Sequence, residues 1–129
     1  MKLSRIFAVL LLTAPAFGGD IDCRNAMDQS TMNRCADQAY RAADAKLNAA
    51  YGKLMAAQSD DGFKAKLKAA QRAWISFRDA ECTFETADNE GGSIHPMVYA
   101  GCLTRLTKER TKALEAQLAC FKDAEKCGM

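Results

Sequence analysis

Histidine occurs once in this sequence, tryptophan once and proline twice. With His95 as the single imidazole, a metal site built on paired histidines is excluded. A hydrolytic triad would have one possible histidine base. No Gly-x-Ser-x-Gly turn is present, so the nucleophile elbow of the hydrolases is missing as well. Ser93 stands two residues before His95, but loop side chains at that spacing need not meet. Close Cys-x-x-Cys or Cys/His pairs are lacking too. The nearest two cysteines, Cys120 and Cys127, are seven apart, which argues against zinc. Carboxylates are numerous but lie among charged neighbours on helical stretches. No cleft for a two-carboxylate glycosidase site is implied. The chain is therefore read as non-enzymatic, with neither metal nor cofactor.

Long apolar runs are also scarce. The one at Ile6–Leu12 follows a basic start, Lys2 and Arg5, and precedes the small residues Ala14, Ala16, Gly18 and Gly19. This is the layout of a secretory signal peptide, and the run is too short to span a bilayer. Residues 1–19 are assigned to it, with cleavage after Gly18 or Gly19 and Ala16 as the alternative. Asp20, Ile21 and Asp22 lead into Cys23. That acidic approach is unlike the small residues before a lipidated cysteine, so no membrane anchor is expected. The product would be periplasmic or secreted. The chain holds 18 basic and 16 acidic residues. Two of the basic ones, Lys2 and Arg5, lie in the leader, so the remainder is balanced. No basic stripe with interleaved aromatics appears, and nucleic acid is not an expected partner.

What is present is helical periodicity and sulfur. Ala36, Tyr40, Ala43, Leu47, Ala50 and Leu54 recur at three and four residues and predict a helix from about Ser30 to Ala57, capped by Ser30 or Thr31. Turn formers at Gln58–Gly62 interrupt it. A second helix is predicted over Asp61–Glu85, with Phe63, Leu67, Ala70, Trp74, Phe77 and Phe84 on its inner face. A third runs from Pro96 to about Phe121, carrying Leu103, Leu106, Ala113, Leu114, Leu118 and Phe121. No strand alternation competes. Residues 20–129 are thus read as one all-α domain, a small antiparallel three-helix bundle. Helix one, rich in alanine, can approach its neighbours closely.

Six cysteines in a short exported chain read as a disulfide framework. Taking Gly92 as the centre of the second connection, Cys82 and Cys102 stand level on neighbouring helices, which makes them the first-choice pair. Cys23 with Cys35 and Cys120 with Cys127 follow. A rival pairing exchanges partners among Cys23, Cys35, Cys82 and Cys102, since all four should lie near one end. The same levels place Arg110 beside Trp74 and Asp44. They predict an Asp44–Arg110 ion pair with the indole against the guanidinium. Arg72 and Arg78 are further candidates for helix-one carboxylates.

The connection E-G-G-S-I-H-P-M, Glu90–Met97, is the one sustained interruption of the helical pattern between helices two and three. Gly91 and Gly92 admit backbone angles that other residues avoid. Pro96 suits a first helical turn, and His95 before it is expected as an exposed cap. A connection of about ten residues is longer than two helices need. Gly92, Ser93, Ile94, His95, Pro96 and Met97 are therefore the candidate partner-binding residues, a stiff tip clamped by Cys82 and Cys102.

Several segments carry a resemblance. D-C-R-N-A-M-D-Q-S-T-M-N-R-C-A (Asp22–Ala36), A-D-A-K-L-N-A-A-Y (Ala43–Tyr51), A-Q-R-A-W-I-S-F-R-D-A-E-C (Ala70–Cys82), G-G-S-I-H-P-M (Gly91–Met97) and C-L-T-R-L-T-K-E-R (Cys102–Arg110) together resemble the LprI-like lysozyme-inhibitor family. Cys120 and Cys127 are less typical of that pattern. The resemblance implies a disulfide-stapled helical domain and, in at least one branch, inhibition of lysozyme by direct binding. The expected function is thus that of an exported inhibitor whose partner is a lysozyme or another cell-wall-associated protein. A periplasmic binding or scaffolding module is the alternative.

Overall fold

The computed structural model describes residues 21–127. The expected leader, residues 1–19, lies outside the described residues. Three long α-helices follow one another: α1 (Gln29–Ala56), α2 (Asp61–Glu85) and α3 (His95–Lys122). Short 3-10 turns occupy Ala87–Asn89 and Ala124–Lys126. No strand occurs among the described residues.

Each start has a local cause. Asp28, not Ser30 or Thr31, caps α1: its carboxylate accepts the backbone N–H of Thr31 at 2.8 Å. Asp is as good a cap as Ser, and it stands one residue before the first helical turn. Asp60 caps α2 in the same way through the N–H of Phe63. At α3 the cap position falls on Ile94, which has no side-chain acceptor, and His95 is already helical. Pro96 fixes the first turn there instead.

α2 runs antiparallel to the other two. Cys82 is bonded to Cys102, Gln71 Oε1 accepts from Arg110 Nε at 3.1 Å, and Phe63 meets Phe121 edge to face. α1 and α3 run parallel and form the closest-packed pair. Their approach rests on Ala43, Ala50 and Ala100, which are buried. The core has two parts. Leu47, Ala50, Leu54, Leu67 and Leu114 fill one; Cys82, Cys102, Leu103 and Leu106 fill the other. Trp74 packs against both and joins them.

The inner face of α2 differs from the expected one. Phe77 and Phe84 are 54% and 76% exposed, and Ala70 is also exposed. The buried line is Leu67, Gln71, Arg78 and Cys82, with Trp74 half-buried between them. Two of its members are polar, so counting apolar residues favoured the neighbouring line. In α3, Ala113 and Phe121 likewise face solvent, while Thr107 and Thr111 are buried.

Three disulfides close the frame: Cys23–Cys35, Cys82–Cys102 and Cys120–Cys127. The first two have Cα atoms 5.6 Å apart. Closing the twenty-residue separation between Cys82 and Cys102 is worth about 3 kcal/mol in the loop-entropy description.

Candidate functional site

The connection between α2 and α3 is a chain of tight turns. Backbone hydrogen bonds run from Asn89 N–H to Thr86, from Glu90 to Ala87, from Gly92 to Asn89, and from His95 to Gly92. Gly91 has φ +77°, a conformation other residues adopt only under strain. At Gly92 a Cβ would come within 3.1 Å of the Asn89 carbonyl oxygen. The turn therefore favours glycine at 91 by its backbone angle and leaves a side chain at 92 crowded against that oxygen.

The loop is held to the bundle on several sides. Cys82–Cys102 ties its two stems. Asn33 of α1 donates its side-chain N–H to the Ser93 carbonyl at 2.9 Å. Gln29 reaches the Met97 sulfur at 3.8 Å, a weak contact. The Thr86 hydroxyl, 4% exposed as a residue, donates to the Cys82 carbonyl at 2.7 Å and lies 3.3 Å from His95 Nε2. His95 also packs its ring against Tyr99, with centroids 5.8 Å apart. On the outer side Arg105 Nη2 contacts both carboxylate oxygens of Glu85, at 2.6 and 2.7 Å.

The expected site residues therefore divide in two. Gly92, Ser93, Ile94 and Pro96 are exposed. His95 and Met97 are half-buried, and their polar or soft atoms face the bundle. His95 is thus an anchor and not an exposed cap. Its position in the first helical turn, directly above Thr86, turns the imidazole inward. The N–H groups of Gly91, Ser93 and Ile94 donate no hydrogen bond within the chain among the described residues. They form the free donor set at the tip. Thr86, Asn33 and Gln29 were not singled out in the sequence, because a lone polar residue at a helix end carries no pattern of its own.

The polar cluster also needs correction. Asp44 does not pair with Arg110. Its nearest cation is Arg78, at 3.9 Å. Arg78 is 7% exposed and binds Asp79 at 2.8 Å, and its guanidinium lies 5.5 Å from the Tyr40 ring and 5.3 Å from the Trp74 ring. Arg110 also lies over the Trp74 ring, at 5.9 Å, and donates to Gln71. Asp44 and Arg110 do share a level, but they lie in different seams. Asp44 sits in the seam of α1 with α2, and Arg110 in that of α2 with α3. Burial lowers the Arg110 pKa, yet guanidinium stays protonated. Burial raises the Tyr40 pKa, and the Arg78 charge opposes that shift.

The loop exposes the N–H donors of Gly91, Ser93 and Ile94 and the side chains of Ser93 and Ile94. Thr86 and His95 do not form a nucleophile–base pair, because the hydroxyl proton is already committed to the Cys82 carbonyl. All six cysteines are in disulfides. Among the described residues no cluster of acidic, histidine or cysteine side chains could hold a metal ion. No described helix is long and apolar enough to cross a membrane.

The sequence model of the family described as lysozyme inhibitor LprI matches residues 23–114. The chain belongs to the LprI family. The match spans α1, α2, the pinned loop and most of α3, and leaves the Cys120–Cys127 tail outside. An uncharacterized protein of Rhizobium meliloti is 44% identical over 121 residues, covering 83% of this chain and 87% of that one. The uncharacterized protein YecT of Escherichia coli is 29% identical over 113 residues, covering 73% and 70%. A crystal structure of a DUF1311 family protein from Pseudomonas putida superposes with a TM-score of 0.66 at 25% identity. It covers 72% of this chain and 95% of that one. The LprI family is one of inhibitors and not of enzymes.

Proposed function

We propose that this chain is an exported, non-enzymatic lysozyme inhibitor that inserts the Gly91–Met97 loop into the substrate cleft of the enzyme. Family membership supports the inhibitor role, and the disulfides fit an extracytoplasmic setting. The observation that carries the docking mode is the loop itself: a turn fastened by a disulfide and by Asn33 and Thr86, with unused N–H donors at its exposed tip.

A lysozyme cleft holds two carboxyl groups, one protonated and one ionised. The N–H groups of Gly91, Ser93 and Ile94 and the Ser93 hydroxyl are donors suited to those oxygens. Ile94 supplies apolar contact beside them. Because the loop is already fixed, docking orders little new chain, and less of the contact energy is lost to entropy. His95 and Met97 act from behind by holding the tip in place.

The test is lysis of cell-wall substrate by lysozymes of different classes. Ser93→Glu sets a carboxylate against the enzyme's own, so inhibition should weaken by about tenfold or more, with the helical signal unchanged. A parent that slows no lysozyme would move the reading to a binding or scaffolding module for another envelope protein. Inhibition that survives Ser93→Glu intact would place the contact elsewhere on the bundle.

A further inference from the structure

The seam of α2 with α3 opens into a cavity of about 330 Å³, at the small end of the range that holds small ligands. Its floor is apolar: Leu54, Leu67 and Leu114, all buried. Its mouth stays open because Ala70 and Ala113, both exposed, put only a methyl group there. α2 runs antiparallel to α3, so Arg110 stands at the Ala70 end. Phe63 stands at the other end, edge to face with Phe121.

The charges around this cavity are of one sign. Arg110 and Lys66 line it, and no carboxylate does. Neither cation has an ion pair among the described residues. Arg110 is half-buried, and its Nε–H is given to Gln71. Burial lowers its pKa, with no neighbouring acid to oppose the shift. Arg78, the other arginine over Trp74, has Asp79 at 2.8 Å. A guanidinium taken from water with no anion beside it is a cost to the fold. Arg110 bears that cost at the edge of an apolar cavity.

We infer that the cavity binds a small carboxylic acid with an apolar tail, its carboxylate on the Nη groups of Arg110 and its tail along Leu54, Leu67 and Leu114 toward Phe63. The paired Nη–H groups of a guanidinium match the two oxygens of a carboxylate. Lys66 adds a second cation at the rim. Both parts of the ligand are needed. A neutral molecule of the same length leaves the guanidinium without its anion, and a short acid leaves the apolar floor uncovered. The site lies on the first half of α2, away from the loop that follows its last turn. It is therefore separate from the surface assigned to lysozyme.

Octanoate is the probe, titrated into the purified chain by calorimetry and by the emission of Trp74, the single tryptophan, over which Arg110 lies. Octanoate should bind saturably and shift that emission. Octanol and acetate should each bind about tenfold more weakly or worse. Arg110→Gln should weaken octanoate by about tenfold or more with the helical signal retained. Ala113→Phe leaves Arg110 in place and fills the mouth from an exposed position, so it should block octanoate even if Arg110→Gln fails to fold. No saturable binding of octanoate overturns the proposal. So does octanol binding as tightly as octanoate, or an Ala113→Phe chain that binds as the parent does. The readout is binding of the acid alone, so it does not depend on whether any lysozyme is inhibited.

Discussion

Thr86 Oγ1 lies 3.3 Å from His95 Nε2 while giving its own proton to the Cys82 carbonyl at 2.7 Å. One hydroxyl thereby joins the end of α2, the first turn of α3 and the backbone of a disulfide cysteine. It is one of the points at which the loop is fastened to the fold, beside the Cys82–Cys102 bridge and the Asn33 hydrogen bond.

Thr86→Val keeps the shape and removes both hydrogen bonds. It should destabilise the chain by about 1–2 kcal/mol, because the imidazole N–H is left facing an apolar group. Exchange of the hydrogen-bonded amides of Gly92, His95 and Met97 should quicken, and inhibition of a responsive lysozyme should fall by severalfold or more. Thr86→Ser, which retains the hydroxyl, should stay near the parent. Unchanged exchange in Thr86→Val would show that His95 is held by its Tyr99 contact alone.

Arg78 and Asp44 make a contrast that separates ring stacking from ion pairing. Arg78 is buried between Tyr40 and Trp74, whereas its approach to Asp44 is long and Asp44 is partly in water. Arg78→Ala removes the packing of the side-chain stem, the contact with two rings and the 2.8 Å pair with Asp79, and should cost about 2–3 kcal/mol in urea denaturation. Asp44→Ala removes a screened pair and should change stability by less than about 0.5 kcal/mol. Equal costs for the two would mean that charge, not stacking, holds this seam.

Arg78 also shows where the sequence was readable and where it was not. The three helices follow from apolar spacing, and their expected limits fall within a residue of the observed ones. The face of α2 did not follow so simply. Leu67, Gln71, Trp74, Arg78 and Cys82 form a regular inward line. Hydropathy discounts Gln71 and Arg78, because their partners on other helices are invisible before the fold is known. Phe77 and Phe84 then drew the expected face toward solvent. The loop was legible from Gly91, Gly92 and Pro96, whose backbone demands are local. The inward turn of His95 was not, because it depends on Thr86, nine residues away.

Thr107 is fully buried, and its hydroxyl has no hydrogen-bond partner. An unpaired buried hydroxyl is a standing cost of about 1–3 kcal/mol. Valine has nearly the same shape. Thr107→Val should therefore raise the denaturation midpoint, by about 1 kcal/mol in stability, with no change in inhibition. A loss of stability would show that the hydroxyl is satisfied in solution.

The N-terminal segment supplies a pH dependence of known sign. The Asp28 carboxylate is held below its usual range, first by its hydrogen bonds to Thr31 at the start of α1, and Asp22 is lowered by Asn25 and the Arg24 N–H. A folded-state pKa below the unfolded one means that the unfolded chain binds more protons between the two values, so stability rises with pH there. The contribution is fully present above about pH 4, the ordinary aspartate value, and is lost as pH falls through the folded one. Asn caps a helix about as well as Asp and does not titrate. Asp28→Asn should therefore match the parent near neutrality and lose less stability on acidification. Denaturant titrations at a series of pH values below roughly 5 would show the shallower slope. A slope as steep as the parent's would place the acid sensitivity in other carboxylates and remove Asp28 from the account.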